Sequence, residues 1–386
     1  MAQPQDEAAT AVVTMSADGT EWRDVSPPLA SVEVEDDDRL TDKATIVFDD
    51  STSVLAHLSF EGLFVRIAMG WRTETATIFE GVVSSARVLA GPTGQTLELT
   101  ALDFTSLMTK RTFDPMEWQP GEKLSDVVRR VVSRPEYKLV PFQIQPANDA
   151  LLDERRPQRP ANLTEWEFVR GQAEKQGCLA FVEFDGKGKS NFYFVPITQV
   201  ASAAPVGNLS YCRGSGELLE FTYERISSGA IPVLGASTID PTSGVPIAQP
   251  GAEQAPRPPL PPPATERDKD LGPGRRAAAE SLAELAAVAD ARLRRPTARV
   301  SGAAAGTAAD VVERTMTDPT KVAGLLGTGV ATGTVLMRAK ARVRIGGVAP
   351  WAEGEWYLRK VNHVYRRERT ENRTRSSYFT KFTATR

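Results

Sequence analysis

Few side chains in this 386-residue sequence stand where chemistry would need them. Of its two histidines, His57 stands alone beside Leu58, and His363 falls in an alternating run, Trp356 to Tyr365, that reads as a strand. There is no H-E-x-x-H, no G-x-S-x-G and no dinucleotide-binding glycine pattern. Gly188-Lys189-Ser190 repeats the end of a phosphate loop. Glu183, however, occupies the place of its first glycine, and a strand pair replaces the strand-to-helix step that aims backbone N–H groups at an anion. Cys178 and Cys212 lack C-x-x-C spacing and read as buried, reduced thiols of a chain that folds in the cytosol. Asp36-Asp37-Asp38 lacks the spaced oxygens and glycine of a calcium loop, so it reads as a solvated turn that breaks a strand. Carboxylates for sugar hydrolysis are plentiful, but no pair is singled out. The expectation is a protein with no catalytic residue, no cofactor and no metal ligand.

One charged group does stand out. Arg366, Arg367, Arg369, Arg373 and Arg375, with Glu368 and Glu371 among them, are placed at a hairpin tip of net positive charge. Such a tip is a solvated loop, an ionic contact to a neighbouring subunit or partner, or a lining for passing DNA. Arginine's planar fork favours interfaces, whereas aromatic residues, which stack on bases, are not interleaved with it. Lys and Arg number 46 against 49 Asp and Glu, a net charge of -3, so no strong field points to a nucleic acid or an anionic membrane. The opening MAQPQDEAAT is acidic and has no apolar core, unlike a secretory signal. No run approaches the roughly twenty apolar residues of a membrane span. A soluble protein without membrane or stable nucleic-acid binding is expected.

The elements that would position these residues are mostly strands. Ala11 to Met15, Val32 to Val34 and Ala44 to Phe48 are short β-rich runs. Leu63, Val65 and Ile67 alternate with Phe64, Arg66 and Ala68, a turn follows at Met69 to Thr75, and further runs start at Thr77, at Val82 and at Thr96. Four antiparallel strands in about fifty residues predict a small barrel or sandwich. From Phe113 the period changes. Leu124, Val127, Val128, Val131 and Val132 form one face of a helix that Pro135 stops. Thr164 caps a second helix with Glu167 three residues on, Trp166, Val169 and Ala173 form its buried side, and Gly177 ends it in the left-handed conformation. Cys178 to Phe184 and Asn191 to Val195 then flank an Asp185-Gly186 turn, a hairpin signal.

Strands are predicted at Leu218 to Ile226 and Ile231 to Ile239, the second ending in the turn chemistry of 240–244. Proline dominates 245–274, which predicts an extended polyproline spacer, the alternative being a ligand for an aromatic groove. Arg275 to Arg295 reads as a helix with Leu282, Leu285, Ala286, Ala289 and Leu293 on one stripe. A short helix from Ala308 to Met316, capped by Thr307, is expected inside the small-residue stretch 302–333. Thr334 to Ile345, Glu355 to Tyr365 and Ser377 to Thr385 close the chain as strands.

The ordered segments GLFVRIAMGW, IFEGVVSSARV and LELTALDFTSLMTKR resemble the first barrel of the phage late-control D family, the tail hubs of contractile phages. The hub part of type VI secretion spike proteins is similar. NLTEWEFVRGQAEKQGCLAFVEFDGKGKSNFYFVP resembles that family's α/β module, and GEWYLRKVNHVY with YFTKFTATR its closing strands. The resemblance implies a β-rich α+β fold. It divides the chain into a first hub β-barrel (1–112), an α/β module (113–200), strands returning to the barrels (201–244), the Pro-rich linker (245–274), and a helix with a second hub barrel (275–386).

By the same resemblance the protein is a structural baseplate hub and no enzyme, a homotrimeric ring with near six-fold symmetry joining a six-fold tail tube to a three-fold spike. Implied partners are itself, a tail tube or tube-initiator protein, a central spike protein and baseplate wedge proteins. The chain stops after the last hub strand with no needle-like repeat, so a separate spike is expected. Its place is the tail baseplate of a virion or tail-like particle, assembled in the bacterial cytoplasm. A monomeric β-rich adhesin and a tail-associated cell-wall hydrolase are the alternative readings.

Overall fold

The computed structural model describes residues 8–72, 74–91, 94–114, 118–119, 121–146, 149, 162–212, 216–225, 233–239, 246–250, 278, 281–285, 288, 298–301, 325–370 and 373–386. The chain opens with β1 (Ala9–Ser16), the short β2 (Arg23–Asp24), β3 (Leu29–Asp37) and β4 (Lys43–Asp49). It continues with β5 (Phe64–Trp71), β6 (Glu74–Gly91) and β7 (Gly94–Leu102). Burial alternates along β1, β3, β4, β5 and β7, as one inward and one outward face requires. Val13, Val32, Val34, Ile46, Val65, Ile67 and Leu99 are buried in one core, joined by Tyr365 and Tyr378 from the far end of the chain.

The two strands expected at Thr77 and Val82 are one strand, the 18-residue β6. It pairs with β5 as far as Val82 and with β7 from Val82 onward, so it passes from one neighbour to the other without a turn. Gly81 makes the crossing possible: a Cβ there would lie 2.2 Å from the carbonyl oxygen of Leu102 and 2.8 Å from the ring of Phe79. A methyl group cannot fit at that distance.

Residues 105–201 form the α/β module. A short α1 (Thr105–Met108) precedes α2 (Leu124–Val132), whose predicted apolar face is wholly buried. Next come β8 (Leu139–Ile144) and α3 (Glu165–Lys175), where Thr164 and Glu167 form the expected reciprocal cap. Gly177 follows with φ 63°, then β9 (Cys178–Phe184), β10 (Ser190–Pro196) and α4 (Ile197–Ala201). The three strands form a separate sheet in the order β8-β10-β9. Trp166, Phe168, Val169, Phe192 and Phe194 pack with the α2 valines in its core.

The last part contributes β11 (Gly207–Ser210), β12 (Leu218–Arg225), β13 (Val233–Ile239), β14 (Pro246–Pro250), β15 (Ala298–Ser301), β16 (Leu325–Thr332), β17 (Arg342–Gly346), β18 (Gly354–Thr370) and β19 (Arg373–Thr385). Strand β14 occupies the start of the stretch expected to be a polyproline spacer, and β13, β14 and β15 form a small sheet of their own. Thr334 to Ile345 is not one strand: β16 ends at Thr332, residues 333–341 turn back, and β17 starts at Arg342. The pieces 281–285 and 288 are helical, with Leu282, Leu285 and Val288 exposed. The helix expected at Ala308 to Met316 lies outside the described residues. Cys178 is buried as expected, but Cys212 is exposed.

The organising feature is a run of eight strands in the order β12-β16-β19-β18-β3-β4-β7-β6, drawn from both ends of the chain and antiparallel at every step. Its inner face joins the N-terminal core to a second core around Trp356, Leu358, Val361 and Phe382. Its outer face is largely polar and carries cross-strand ion pairs: Lys360 and Lys43 to Glu35, and Arg87 to Glu98. No sheet closes on itself among the described residues. At one seam β1 meets the terminal hairpin through the Ser376 hydroxyl, which donates to the Ala9 carbonyl at 2.7 Å, and not through a ladder. The sequence predicts a small barrel or sandwich for the N-terminal strands, and the resemblance implies two barrels; among the described residues the strands of both lobes instead join in one open sheet, in which β18 pairs with β19 on one edge and β3 on the other.

Candidate functional site

Val32, Val34 and Asp36 share one strand phase, and that phase points inward. Asp36 is therefore 1% exposed, not solvated, and β3 continues through it to Asp37. A buried carboxylate must find cations or give up its charge. The turn 333–341 supplies two. Lys340 donates from Nζ to Asp36 Oδ1 at 2.6 Å and to the Asp37 carbonyl at 3.0 Å. The Ala339 amide donates to Asp36 Oδ2 at 3.0 Å, and Arg338 Nε lies 3.4 Å from the same oxygen.

Arg338 also reaches the other two parts of the molecule. It donates to the Ile78 carbonyl of β6 at 2.6 Å and to Glu183 of β9 at 3.1 Å. Lys340 Nζ stands 3.5 Å from Glu183 and over the Phe181 ring. Arg338 and Lys340 thus tie the N-terminal strands, the α/β module and the C-terminal lobe at one buried point. To aim its side chain there Lys340 adopts φ 68°, left-handed backbone that costs a residue with a Cβ free energy.

The electrostatics follow from this enclosure. Burial opposes the charge on Asp36, but Lys340 and Arg338 outweigh it and hold the carboxyl below its usual range. Burial would likewise lower Lys340, yet Asp36, Asp42 and Glu183 keep the ammonium well above its ordinary value. Asp103 accepts from the Asp42 amide and from Thr105, and Asp42 accepts from the Asp37 amide. Burial pushes both of these carboxyls up. Asp38 is pushed up to about 6 by burial, and its Oδ2 has no hydrogen-bond partner among the described residues.

His363 lies in β18 as read from the sequence, fully buried. Its Nε2 is 3.0 Å from the Met337 carbonyl and its Nδ1 2.8 Å from the Tyr378 hydroxyl. A carbonyl only accepts, so Nε2 carries the proton and Nδ1 accepts from Tyr378. Burial, reinforced by Arg338, pulls its pKa down to about 3. This ring is a neutral structural brace on the turn that carries Arg338. His57 is in a short 3-10 turn (Leu55–His57) on the surface side of the N-terminal lobe.

The five arginines belong to the outer part of the β18–β19 hairpin, in the strands themselves. Arg366 pairs with Ser377, Arg367 with Ser376, Arg369 with Thr374, and Thr370 with Arg373, while Arg375 stands opposite Glu368. Arg366 and Arg375 are exposed on one face. Arg367, on the other face, donates to the Pro27 carbonyl at 3.3 Å. The side chains of Arg369 and Arg373 lie outside the described residues. The expected single tip is thus split by strand alternation.

Among the described residues no cluster of three or more His, Cys, Asp or Glu side chains could hold a metal ion, and no helix is long and apolar enough to cross a membrane. Gly188-Lys189-Ser190 sits at the β9–β10 turn, where the Ser190 hydroxyl donates to Glu80, so its chemistry is spent on joining the module to β6. The Arg338–Lys340 clamp is what sequence reasoning missed. Its one signal was the inward phase of Asp36, which demands a cation from elsewhere.

No protein-family model matches the sequence, and no curated protein matches it. Solved structures do match its fold. The chain is similar to a tail protein from Neisseria meningitidis MC58, with 11% identity, 98% of this chain and 96% of that one covered, and a TM-score of 0.59. It is similar to the 43 kDa tail protein of prophage MuSo2 from Shewanella oneidensis at 10% identity, 98% of each chain covered and a TM-score of 0.62. A chain of the Francisella PdpA-VgrG complex matches 99% of this chain over 58% of its own length, at 10% identity and a TM-score of 0.55. The chain therefore has the fold seen in these tail and VgrG-complex proteins.

Proposed function

We propose that this chain is a structural baseplate hub of a contractile phage tail or tail-like particle. The observation that carries the reading is the fold likeness to two tail proteins across nearly the whole of both chains. The geometry supports a role in assembly: the best-built polar site is a clamp between lobes whose charges are consumed internally. In this reading three copies form a ring. Each copy contributes four strands from its N-terminal lobe and four from its C-terminal lobe, giving a near six-fold arrangement from three-fold symmetry. One face receives a tail tube or tube-initiator protein and the other a central spike, with wedge proteins outside. Arg366 and Arg375 are proposed ionic contacts to such a neighbour. The hub acts in the virion tail after assembly in the bacterial cytoplasm and carries out no catalysis.

Light scattering behind size exclusion tests the proposal, with the chain alone and with its candidate spike. A particle near three times the 41.9 kDa chain is expected. A strict monomer in both conditions, or clearing of peptidoglycan in a zymogram, would overturn it in favour of an adhesin or a hydrolase.

A further inference from the structure

The outer face of the eight-strand sheet is polar, and at one corner it is also closed off from solvent. Tyr357 and Thr385 stand directly opposite each other in the β18–β19 ladder, on the face away from the core residues Trp356, Leu358 and Ala384. Both are nevertheless buried, 4% and 3% exposed, and so is Asp38 at 3%. The chain leaves β3 at this point: the Asp38 amide donates to the Arg359 carbonyl at 2.9 Å, which lays the start of the turn 38–42 on β18. Strand β18 carries a bulge at the same place. Its register slips between Leu358 and Lys360, so Arg359 is the extra residue, and a bulge re-aims the side chain it carries.

The side chains are neighbours. The Arg359 guanidinium opposes the rise that burial imposes on the Asp38 carboxyl, and Asp38 adds to the upward push that burial gives the Tyr357 hydroxyl. Such effects act over about 4–6 Å. Four polar atoms of this corner, Asp38 Oδ2, the Tyr357 hydroxyl, Arg359 Nε and Thr385 Oγ1, are shielded from solvent and have no hydrogen-bond partner among the described residues. Only two other side-chain atoms there share that condition: Glu165 Oε1, which has two ion pairs, and Asn362 Oδ1, further along β18. Buried polar groups are almost always satisfied in a folded protein, so four unmet atoms at one place mark a ligand.

We infer that the corner bounded by Asp38, Tyr357, Arg359 and Thr385 is a binding site for internal water, which bridges the turn 38–42 to the β18–β19 hairpin. The lining groups select water over other occupants. Arg359 Nε can only donate and an ionised carboxylate oxygen can only accept, while the two hydroxyls do either. A ligand that meets all four must therefore both donate and accept.

Charge points the same way. One acid faces one base, so a cation entering the corner would meet the guanidinium and an anion would meet the carboxylate, and neither would be repaid for its lost hydration. An apolar occupant would leave all four atoms unmet. Water makes about three hydrogen bonds in a site of this kind and fits a space too small for larger ligands. The site lies beside the clamp: Lys340 donates to Asp36 and to the Asp37 carbonyl, and Asp38 is the next residue. The N-terminal strands and the C-terminal lobe are thus joined twice, side by side, once through direct ionic bonds and once through solvent.

The test uses the full chain, with bulk water as the probe. Oxygen-17 relaxation dispersion counts water molecules held for longer than the protein takes to tumble. It is run on the unaltered protein, on Tyr357→Phe, on Thr385→Val and on the double variant, each checked as folded by circular dichroism. These substitutions remove a hydroxyl each and add no bulk to the corner. The count is expected to fall by about one or two in the double variant, and a crystal structure of the unaltered chain to show a solvent peak within about 2.7–3.2 Å of most of the four atoms. Equal counts in the unaltered chain and the double variant overturn the inference. A crystal structure in which Tyr357 and Arg359 donate directly to Asp38 with no solvent between them overturns it as well. Should the double variant fail to fold, Thr385→Val alone decides by the same count.

Discussion

Two buried carboxylates, Glu165 and Asp36, solve the same problem with different reach. Glu165 opens helix α3 with no exposed surface. Its Oε2 accepts from Tyr137 at 2.6 Å and Arg134 at 3.1 Å, and Arg134 and Arg111 lie 2.9 and 3.0 Å from Oε1. Every partner comes from the same module. Asp36 is equally buried, but its lysine is 304 residues away. Both carboxylates lose their hydration, and both recover it from two cations. The difference lies in what each holds: Glu165 makes one module rigid, whereas Asp36 fastens three parts of the molecule that have separate apolar cores. A short-range ion pair shapes a domain; a long-range one sets how domains sit together.

The largest expected effect breaks that contrast at its long-range end. Lys340→Met should cost about 3–5 kcal/mol, because it leaves Asp36 charged and buried beside a single remaining guanidinium. In urea unfolding, fluorescence and circular dichroism transitions that coincide in the parent should separate as the lobes uncouple. A loss under about 1 kcal/mol with coincident transitions would show that the clamp does not join the lobes. Next, Glu165→Gln should cost about 2 kcal/mol by weakening charge-assisted bonds, with hydrogen exchange rising in residues 124–175 and not in β3. Exchange rising equally in both would erase the distinction between local and long-range ties.

Thr164→Ala removes the cap on α3 and should cost about 1 kcal/mol, read as a lower thermal midpoint with the lobes still unfolding together. The smallest effect concerns pH. Asp38, with its folded pKa raised to about 6, keeps a proton that the unfolded chain releases above the ordinary carboxylate range. Stability from this group is thus present at low pH and lost as pH rises to about 6. Asp38→Asn should flatten that part of the profile and modestly stabilise the protein at pH 7. His363 acts in the opposite direction. Its pKa is lowered to about 3, so stability falls as pH drops below 6.5, where only the unfolded chain takes up the proton.

What the sequence made legible follows the same division. The α2 valines, the Thr164 cap, Gly177 and the β9–β10 hairpin were readable because each rule spans only a few residues. Helices α2 and α3 of the module and most strands of the eight-strand run are legible in this way. The continuity of β6 was not, because Gly81 looks like a breaker until Leu102 is seen packed against it. The burial of Asp36 is missed because three adjacent acids look solvated, although alternation with Val32 and Val34 already points Asp36 inward. The turn at 333–341 reads as strand because Met337, Ala339 and Ala341 alternate with Arg338 and Lys340. Nothing local reveals that Arg338 and Lys340 leave that pattern to reach Asp36 and Glu183. The arginines of the terminal hairpin read as one tip, and only the pairing register shows that Arg366 and Arg367 face opposite ways.

The terminal hairpin also bears on how the protein is made. Strand β18 pairs with β3, and Tyr365 and Tyr378 complete the N-terminal core. A ribosome-bound chain therefore carries β3 with one edge unmet until some three hundred further residues have been synthesised. Contacts of such high sequence separation form late and slowly. The eight-strand sheet exists only once translation has passed β19, so a chain cut short by a nonsense codon in the last strands leaves β16 and β18 without the strand that pairs between them.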